Sequence, residues 1–198
     1  MQDSKQNLIA GMQTLEVSVD QRQIDQLLNL LQLLQKWNKT FNLTAVTNLQ
    51  HMVVWHLLDS LALSPYVEGN RMLDVGTGAG FPGLPLAITN PDQHFVLLDS
   101  NLKKTRFVQQ ALLELDINNV NVVHQRIEHY QPDTQFDIVF ARAVSSLAHM
   151  VDNVTSLVAD GGKILLPKGR FPQTEIDELT NRRYCVVKLN IPGMDAQR

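Results

Sequence analysis

The chain has 198 residues, a length that accommodates one domain with a small extension. Hydrophobic residues make up 44% and charged residues 19%, an ordinary globular composition that excludes intrinsic disorder. The formal net charge of −3 excludes a polycation that coats nucleic acid by charge alone, and the single cysteine, Cys185, excludes an intrachain disulfide or a cysteine cluster for zinc.

The first ~65 residues carry helical periodicity. Ile24, Leu27, Leu28, Leu31 and Leu34 recur at helix spacing, Trp37 extends the stripe, and Asp20 stands where an N-cap belongs. Leu30 and Leu33 widen the apolar face, so packing on two sides is expected. Residues 38–44 break the pattern and read as a loop. A second helix is predicted from Leu49 to Leu63, ending at Pro65.

After Asn70 short apolar runs alternate with helical stretches. Strands are predicted at Arg71–Val75, His94–Leu98, Val120–Val123, Phe136–Phe140, Gly162–Leu166 and Tyr184–Leu189. Helices are predicted at Leu84–Thr89, Lys103–Leu115, Ser145–Val158 and Gln173–Asn181. Continuously apolar strands alternating with helices predict an α/β fold, a doubly wound and mostly parallel sheet covered on both faces. The expected division is a helical extension over residues 1–66 and an α/β domain over 67–198. No apolar run reaches the ~18 residues of a membrane span, and the N-terminus lacks a signal-peptide pattern. A cytoplasmic location is therefore expected, with no membrane partner.

The strongest local motif is Leu73-Asp74-Val75-Gly76-Thr77-Gly78-Ala79-Gly80-Phe81-Pro82-Gly83, which follows a strand and opens a helix. Glycines there permit a tight turn and close approach of a ligand to the backbone. Asp99 ends the next strand, where a carboxylate can accept hydrogen bonds from both ribose hydroxyls of an adenosine. Together they indicate a nucleoside-containing cofactor. Gly78 to Gly83 also satisfies G-x-G-x-x-G, which keeps a dinucleotide open, although a dehydrogenase normally needs a further substrate domain. The earlier Gly76-x-Gly78-x-Gly80 form resembles motif I of S-adenosylmethionine-dependent methyltransferases, which favours that class and a Rossmann-like class I fold.

Several further segments carry a narrower resemblance. They are Lys36-Trp37-Asn38-Lys39-Thr40-Phe41-Asn42-Leu43-Thr44, His56-Leu57-Leu58-Asp59-Ser60, Leu97-Leu98-Asp99-Ser100, Lys103-Lys104-Thr105-Arg106-Phe107, Ala141-Arg142-Ala143 and Leu166-Pro167-Lys168-Gly169. With the glycine motif, they resemble the bacterial small-subunit ribosomal RNA guanine-N7 methyltransferases, the RsmG or glucose-inhibited division protein B family, from about residue 15 onward. The resemblance implies methyl transfer from S-adenosyl-L-methionine to N7 of one guanine (position 527) of 16S ribosomal RNA in the 30S subunit. It places Gly76 and Phe81 against the cofactor, Ile127 and Glu128 beside its adenine, and Arg142 at the mouth beside the donor, with Gly78 and Gly80 completing the loop. It also implies a final apolar strand after residue 198 that would join Tyr184–Leu189 to the sheet. A chain ending at Arg198 is expected to lose stability rather than cofactor contacts.

Guanine N7 has a lone pair and no proton, so its alkylation needs alignment and water exclusion rather than a base. The sequence accordingly shows no Ser-His-Asp or Cys-His pattern. His56, Asp59 and Ser60 share one helix face, either to hold the loop of Asn42 and shape the RNA side or to pin the extension as a buried polar cluster. Asn42, His56, Asp59, Arg142 and Lys168 are the candidate catalytic residues. Lys36, Lys39, Lys103, Lys104, Arg106, Lys168 and Arg170 are candidate RNA contacts, and Phe41 and Phe81 candidate base-stacking residues. The histidines show no metal-ligand spacing, so no metal is expected, and a monomer is expected. The open alternatives are a methyltransferase acting on a small molecule or protein and a non-catalytic nucleotide-binding module.

Overall fold

Asp20 and Gln23 begin the longest helix reciprocally. Asp20 Oδ1 accepts from the Gln23 amide at 2.8 Å and Gln23 Oε1 accepts from the Asp20 amide at 2.8 Å, a capping box. In this computed structural model, which describes residues 2–142, 146–179 and 182–194, that helix is α2 (Gln21–Phe41). It follows α1 (Gln2–Thr14), and its leucines at 27, 28, 30, 31, 33 and 34 are all buried. The wide stripe packs on two sides as its breadth requires, against α1 and against the helices covering the sheet. The expected loop at Asn38 does not begin there. Trp37 packs on Phe41 (5.1 Å between ring centres) and on Phe107 (5.7 Å), which holds the last turn helical. Asn42, in the left-handed conformation at φ 51°, ends the helix with its amide donating to the Asn38 carbonyl.

The second predicted helix divides into α3 (Leu49–Met52), a π-helical turn (Val53–Leu58) and α4 (Asp59–Leu61), capped at its start by Asn48. Gly11 of α1 faces Leu58, where a Cβ would come within 2.4 Å of its side chain, so the two helices meet closely.

The sheet contains β1 (Arg71–Val75), β2 (His94–Asp99), β3 (Val120–His124), β4 (Phe136–Ala141) and β5 (Val158–Leu165), all parallel in the order β3-β2-β1-β4-β5. The chain winds outward from β1 to β3, then returns to add β4 on the other side of β1. Strand order therefore reverses at β1 and β4, the place where open α/β sheets bind ligands beyond their carboxyl ends. Val75 pairs with both Leu98 and Ala141, so the three central strands end level. Connections run through α5 (Gly83–Thr89), α6 (Leu102–Leu115) and α7 (Leu147–Val154), and α8 (Gln173–Asp177) follows β5. Alternation along the strands feeds two cores. Met72, Phe95, Leu97, Ile138 and Phe140 join the N-terminal helices, α5 and α6 in one cluster. Leu73, Val75, Val96, Leu98 and Val139 face the other way, onto Val154 and Leu157. Among the described residues, no helix is long and apolar enough to cross a membrane.

Three further predicted elements differ, and β5 begins at Val158 rather than at Gly162. Tyr184–Leu189 is not a strand: residues 182–188 are exposed and pair with no other strand among the described residues. Apolar alternation there has no ladder partner, and an extended segment without one gains nothing from its β-propensity. The chain regains the core at Ile191, which is buried in the cluster of the N-terminal helices. The α7 helix starts at Leu147 and ends at Val154, a single 3₁₀ turn (Thr155–Leu157) leads to β5, and residue 145 lies outside the described residues. The α8 helix stops at Asp177, short of the expected end at Asn181, which also lies outside them.

Candidate active site

The glycine motif forms the turn leaving β1, with Gly76, Gly78 and Gly80 at φ of 68°, 63° and 86°. That left-handed backbone selects glycine. The three nevertheless stand in different surroundings. A Cβ on Gly76 would meet nothing within 4 Å, and one on Gly78 would meet only the Lys104 ammonium at 3.9 Å and the Gly76 carbonyl at 4.0 Å. These two glycines face open space. A Cβ on Gly80 would lie 2.4 Å from Leu84, and one on Gly83 would lie 2.8 Å from Asp74 Oδ2. Those two serve close packing.

Asp74 fastens the turn from inside. Its Oδ2 accepts from Thr77 Oγ1 at 2.6 Å and from the Gly83 amide at 2.9 Å, while Oδ1 is buried with no hydrogen-bond partner. Burial pushes its carboxyl up to about 6, against the pull of those two hydrogen bonds. Asp99 fastens the turn from the next strand. Its Oδ2 accepts from the Gly78 amide at 2.8 Å and its Oδ1 from the Asn101 amide at 2.8 Å. A carboxylate oxygen has two lone pairs, so each still has acceptor capacity for a ligand hydroxyl.

A cleft of about 510 Å³ opens beyond these strand ends, within the range of small-molecule sites. Gly76, Asp99, Ile127, Glu128 and Arg142 all line it, which joins five predicted site residues from four separate loops. Lys104, considered earlier only as an RNA contact, lines it as well. So do Arg126, His149, Met150 and Asn153, which the sequence did not single out. His149 and Asn153 are four apart on α7 and hydrogen-bond at 3.1 Å, a spacing legible only once α7 is known to flank the cleft.

Arg142 immediately follows β4, and its Nη1 donates to Asp59 Oδ2 at 2.9 Å. The Asp59 side chain is 4% exposed and that of Arg142 25%. Asp59 belongs to the N-terminal helices, so the extension reaches the cleft through this ion pair. His56 stacks on Phe81 (4.8 Å between ring centres, 25° between planes) and its Nε2 lies 3.0 Å from Thr44 Oγ1. Burial, and secondarily the Arg142 charge, push its pKa down to about 4, so the ring is neutral at physiological pH. Ser60 Oγ donates to the His56 carbonyl at 2.5 Å. Asn38 closes the group: its Nδ2 donates to the Thr44 carbonyl at 3.0 Å, and its Oδ1 accepts from the Thr44 amide at 2.8 Å. The loop is thus held by the Asn38 side chain, while Asn42 ends the helix through its backbone amide.

Other predicted residues lie apart from the cleft. Phe81 is 3% exposed under His56, which leaves no face for stacking a base, whereas Phe41 is 39% exposed. Gly80 packs on Leu84. Lys168 donates to both carboxylate oxygens of Glu175 (3.0 and 2.7 Å), and Glu175 Oε2 also accepts from the Leu147 amide at 3.1 Å. Lys168 therefore ties the loop after β5 to α8 and the start of α7.

Comparisons with known proteins show the family and the fold. The family described as "GidB: rRNA small subunit methyltransferase G" matches residues 23–197. A relative from Psychromonas ingrahamii, "Ribosomal RNA small subunit methyltransferase G", is 48% identical over 187 residues, covering 93% of this chain and 89% of its own. One of the same name from Haemophilus influenzae is 44% identical over 197 residues, covering 98% and 97%. Among solved structures, precorrin-6y C5,15-methyltransferase from Geobacter metallireducens superposes with a TM-score of 0.51 at 20% identity, covering 61% of this chain and 66% of that one, which is a likeness of fold.

Proposed function

The chain belongs to the GidB family of rRNA small subunit methyltransferases G, and from that premise we propose that it transfers the methyl group of S-adenosylmethionine to N7 of a guanine in 16S ribosomal RNA of the 30S subunit. The observation that carries this reading is the open cradle at Gly76 beside Asp99, at the point of strand reversal, with Arg142 at the same cleft. The empty space at Gly76 and the acceptor capacity of Asp99 fit an adenosyl donor. In this reading Gly76 and Gly78 let the donor approach the backbone, Asp99 accepts from its ribose hydroxyls, and Ile127 and Glu128 flank its adenine. Gly80 and Phe81 shape the loop from behind.

S-Adenosylmethionine supplies an electrophilic methyl whose transfer forms one N–C bond from the N7 lone pair, breaks one C–S bond toward sulfur, and moves the positive charge from sulfur to the purine. No proton moves, so no general base is assigned. What the protein provides is alignment and a dry, preorganised surrounding. Arg142 stands at the donor and Asp59 beneath it. His56 adds an uncharged wall against Phe81, while Asn42 ends α2 and Lys168, paired to Glu175, holds the loop after β5, so neither is given a part in the transfer. Residues 1–66 form the helical layer and 67–198 the donor-binding domain, in a protein acting as a cytoplasmic monomer without a metal.

The test is a labelling experiment. Methyl-labelled S-adenosylmethionine is incubated with the protein and with unmodified 30S subunits, free 16S RNA or a metabolite extract. Label is expected in the 16S RNA. Label only in metabolites or protein would overturn the reading.

A further inference from the structure

Among the described residues, Arg142 is the one guanidinium at the cleft that is ion-paired to a buried carboxylate, and that carboxylate comes from the N-terminal helices. The helix carrying it is irregular at this place. The Asp59 amide donates to the Val54 carbonyl, a π-type step, at the end of the Val53–Leu58 turn. One residue more per turn rotates everything beyond it, and such π segments are frequent at functional sites. The turn has apolar anchors on both sides: Val53, Leu57 and Leu58 are buried in the main core. Asp59 is thus set rigidly, and Arg142 has a fixed partner rather than a mobile one.

We infer that Asp59 is a positioning residue for methyl transfer, which orients the Arg142 guanidinium at the cleft and balances its charge. The inference rests on the function proposed above and deepens it. Transfer passes the positive charge from the donor to the purine, and a guanidinium free to swing from the donor toward the purine would oppose that passage. A carboxylate 2.9 Å from Arg142 Nη1 offsets that repulsion and leaves the other guanidinium donors available to substrate. The neighbouring His56, uncharged through burial, adds no second cation. The N-terminal helices thereby complete the reacting mouth instead of serving only as a support.

The test uses Asp59→Asn, which keeps the shape and removes the charge, Asp59→Glu as the conservative rescue, and a double-mutant cycle with Arg142→Ala. Asp59→Asn is expected to keep donor affinity within about threefold and to lower kcat by about tenfold to 100-fold, the scale of a misplaced reacting group. Asp59→Glu is expected to recover part of that loss. In the Arg142→Ala background, Asp59→Asn is expected to cost no further activity, because it acts through Arg142. Equal kcat in wild type and Asp59→Asn, or additive losses in the cycle, would overturn the inference. A readout without substrate separates it from the proposed function. Slow rotation of the Arg142 guanidinium by ¹⁵N NMR is expected in the wild type, and fast rotation in Asp59→Asn. If the wild type itself methylates no ribosomal RNA, the functional reading fails while this spectrum still judges the ion pair; fast rotation in the wild type refutes positioning outright. Should Asp59→Asn not fold, the rotation of the Arg142 guanidinium in the wild type still decides, slow rotation being expected and fast rotation refuting the inference.

Discussion

The glycines of the turn after β1 separate into two kinds, and substitution should separate them too. Gly76→Val fills the open space at φ 68° and is expected to abolish donor binding by calorimetry. Gly80→Ala collides with Leu84 and should instead lower the melting temperature. Retained affinity in Gly76→Val would remove the cradle from the site. Asp99→Ala is expected to weaken donor binding by about 1–3 kcal/mol through lost hydrogen bonds to a charged acceptor. His56 makes a pH prediction. Its folded pKa, about 4, lies below its ordinary 6.5, so the unfolded chain binds the proton more readily between those values. Its contribution to stability is therefore complete above about pH 6.5 and is lost as pH falls toward 4. In urea unfolding, the advantage of the wild type over His56→Gln should shrink by about 2 kcal/mol between pH 7 and pH 5. Asp74, pushed up to about 6, acts with the opposite sign in the wild type, which is why the comparison is made against the variant rather than by absolute stability. A constant difference across that range would mean that His56 is solvated.

The elements were legible in the sequence to different degrees, for physical reasons. Strands β1, β2 and β4 are short apolar runs buried on both faces, and such runs carry their own boundaries. The start of α2 was legible because a cap is local chemistry. Asp20→Ala is expected to cost about 1 kcal/mol, read from the shift in denaturation midpoint. Its end was not, because the contact that keeps Asn38 to Phe41 helical is Trp37 on Phe107, 70 positions away by their numbers. The π turn was hidden for another reason. α and π turns present nearly the same apolar residues, and only the hydrogen-bond ladder distinguishes them. Tyr184–Leu189 shows the converse, a local β pattern that pairs with no strand among the described residues. At the site, Gly76 and Asp99 could be placed by spacing from their strands. The Arg142–Asp59 pair, separated by 83 positions, could not: helix spacing grouped Asp59 with His56 and Ser60, and Arg142 stood past a strand end, but nothing local joined the two.

At the scale of the whole molecule, helices and sheet share one apolar cluster, so the extension is built into the fold on which the cleft depends. Leu30, 0% exposed on α2 within that cluster, is a probe of the dependence. Leu30→Ala should destabilise the entire molecule by about 2–5 kcal/mol in a single transition. An early, separate melting of the N-terminal helices would show instead that they are an independent layer. The net charge of −3 excludes overall attraction to RNA, so under the proposed function recognition falls to a local surface, and Lys104, Arg126 and Arg142 line the cleft. The most direct measurement takes 30S subunits lacking the modification, treats them with the protein and S-adenosylmethionine, and cleaves the 16S RNA chemically at 7-methylguanosine. Cleavage at a single guanine, present with the wild type and absent with Gly76→Val, is the expected result. Methyl incorporation without cleavage at any guanine would contradict transfer to N7.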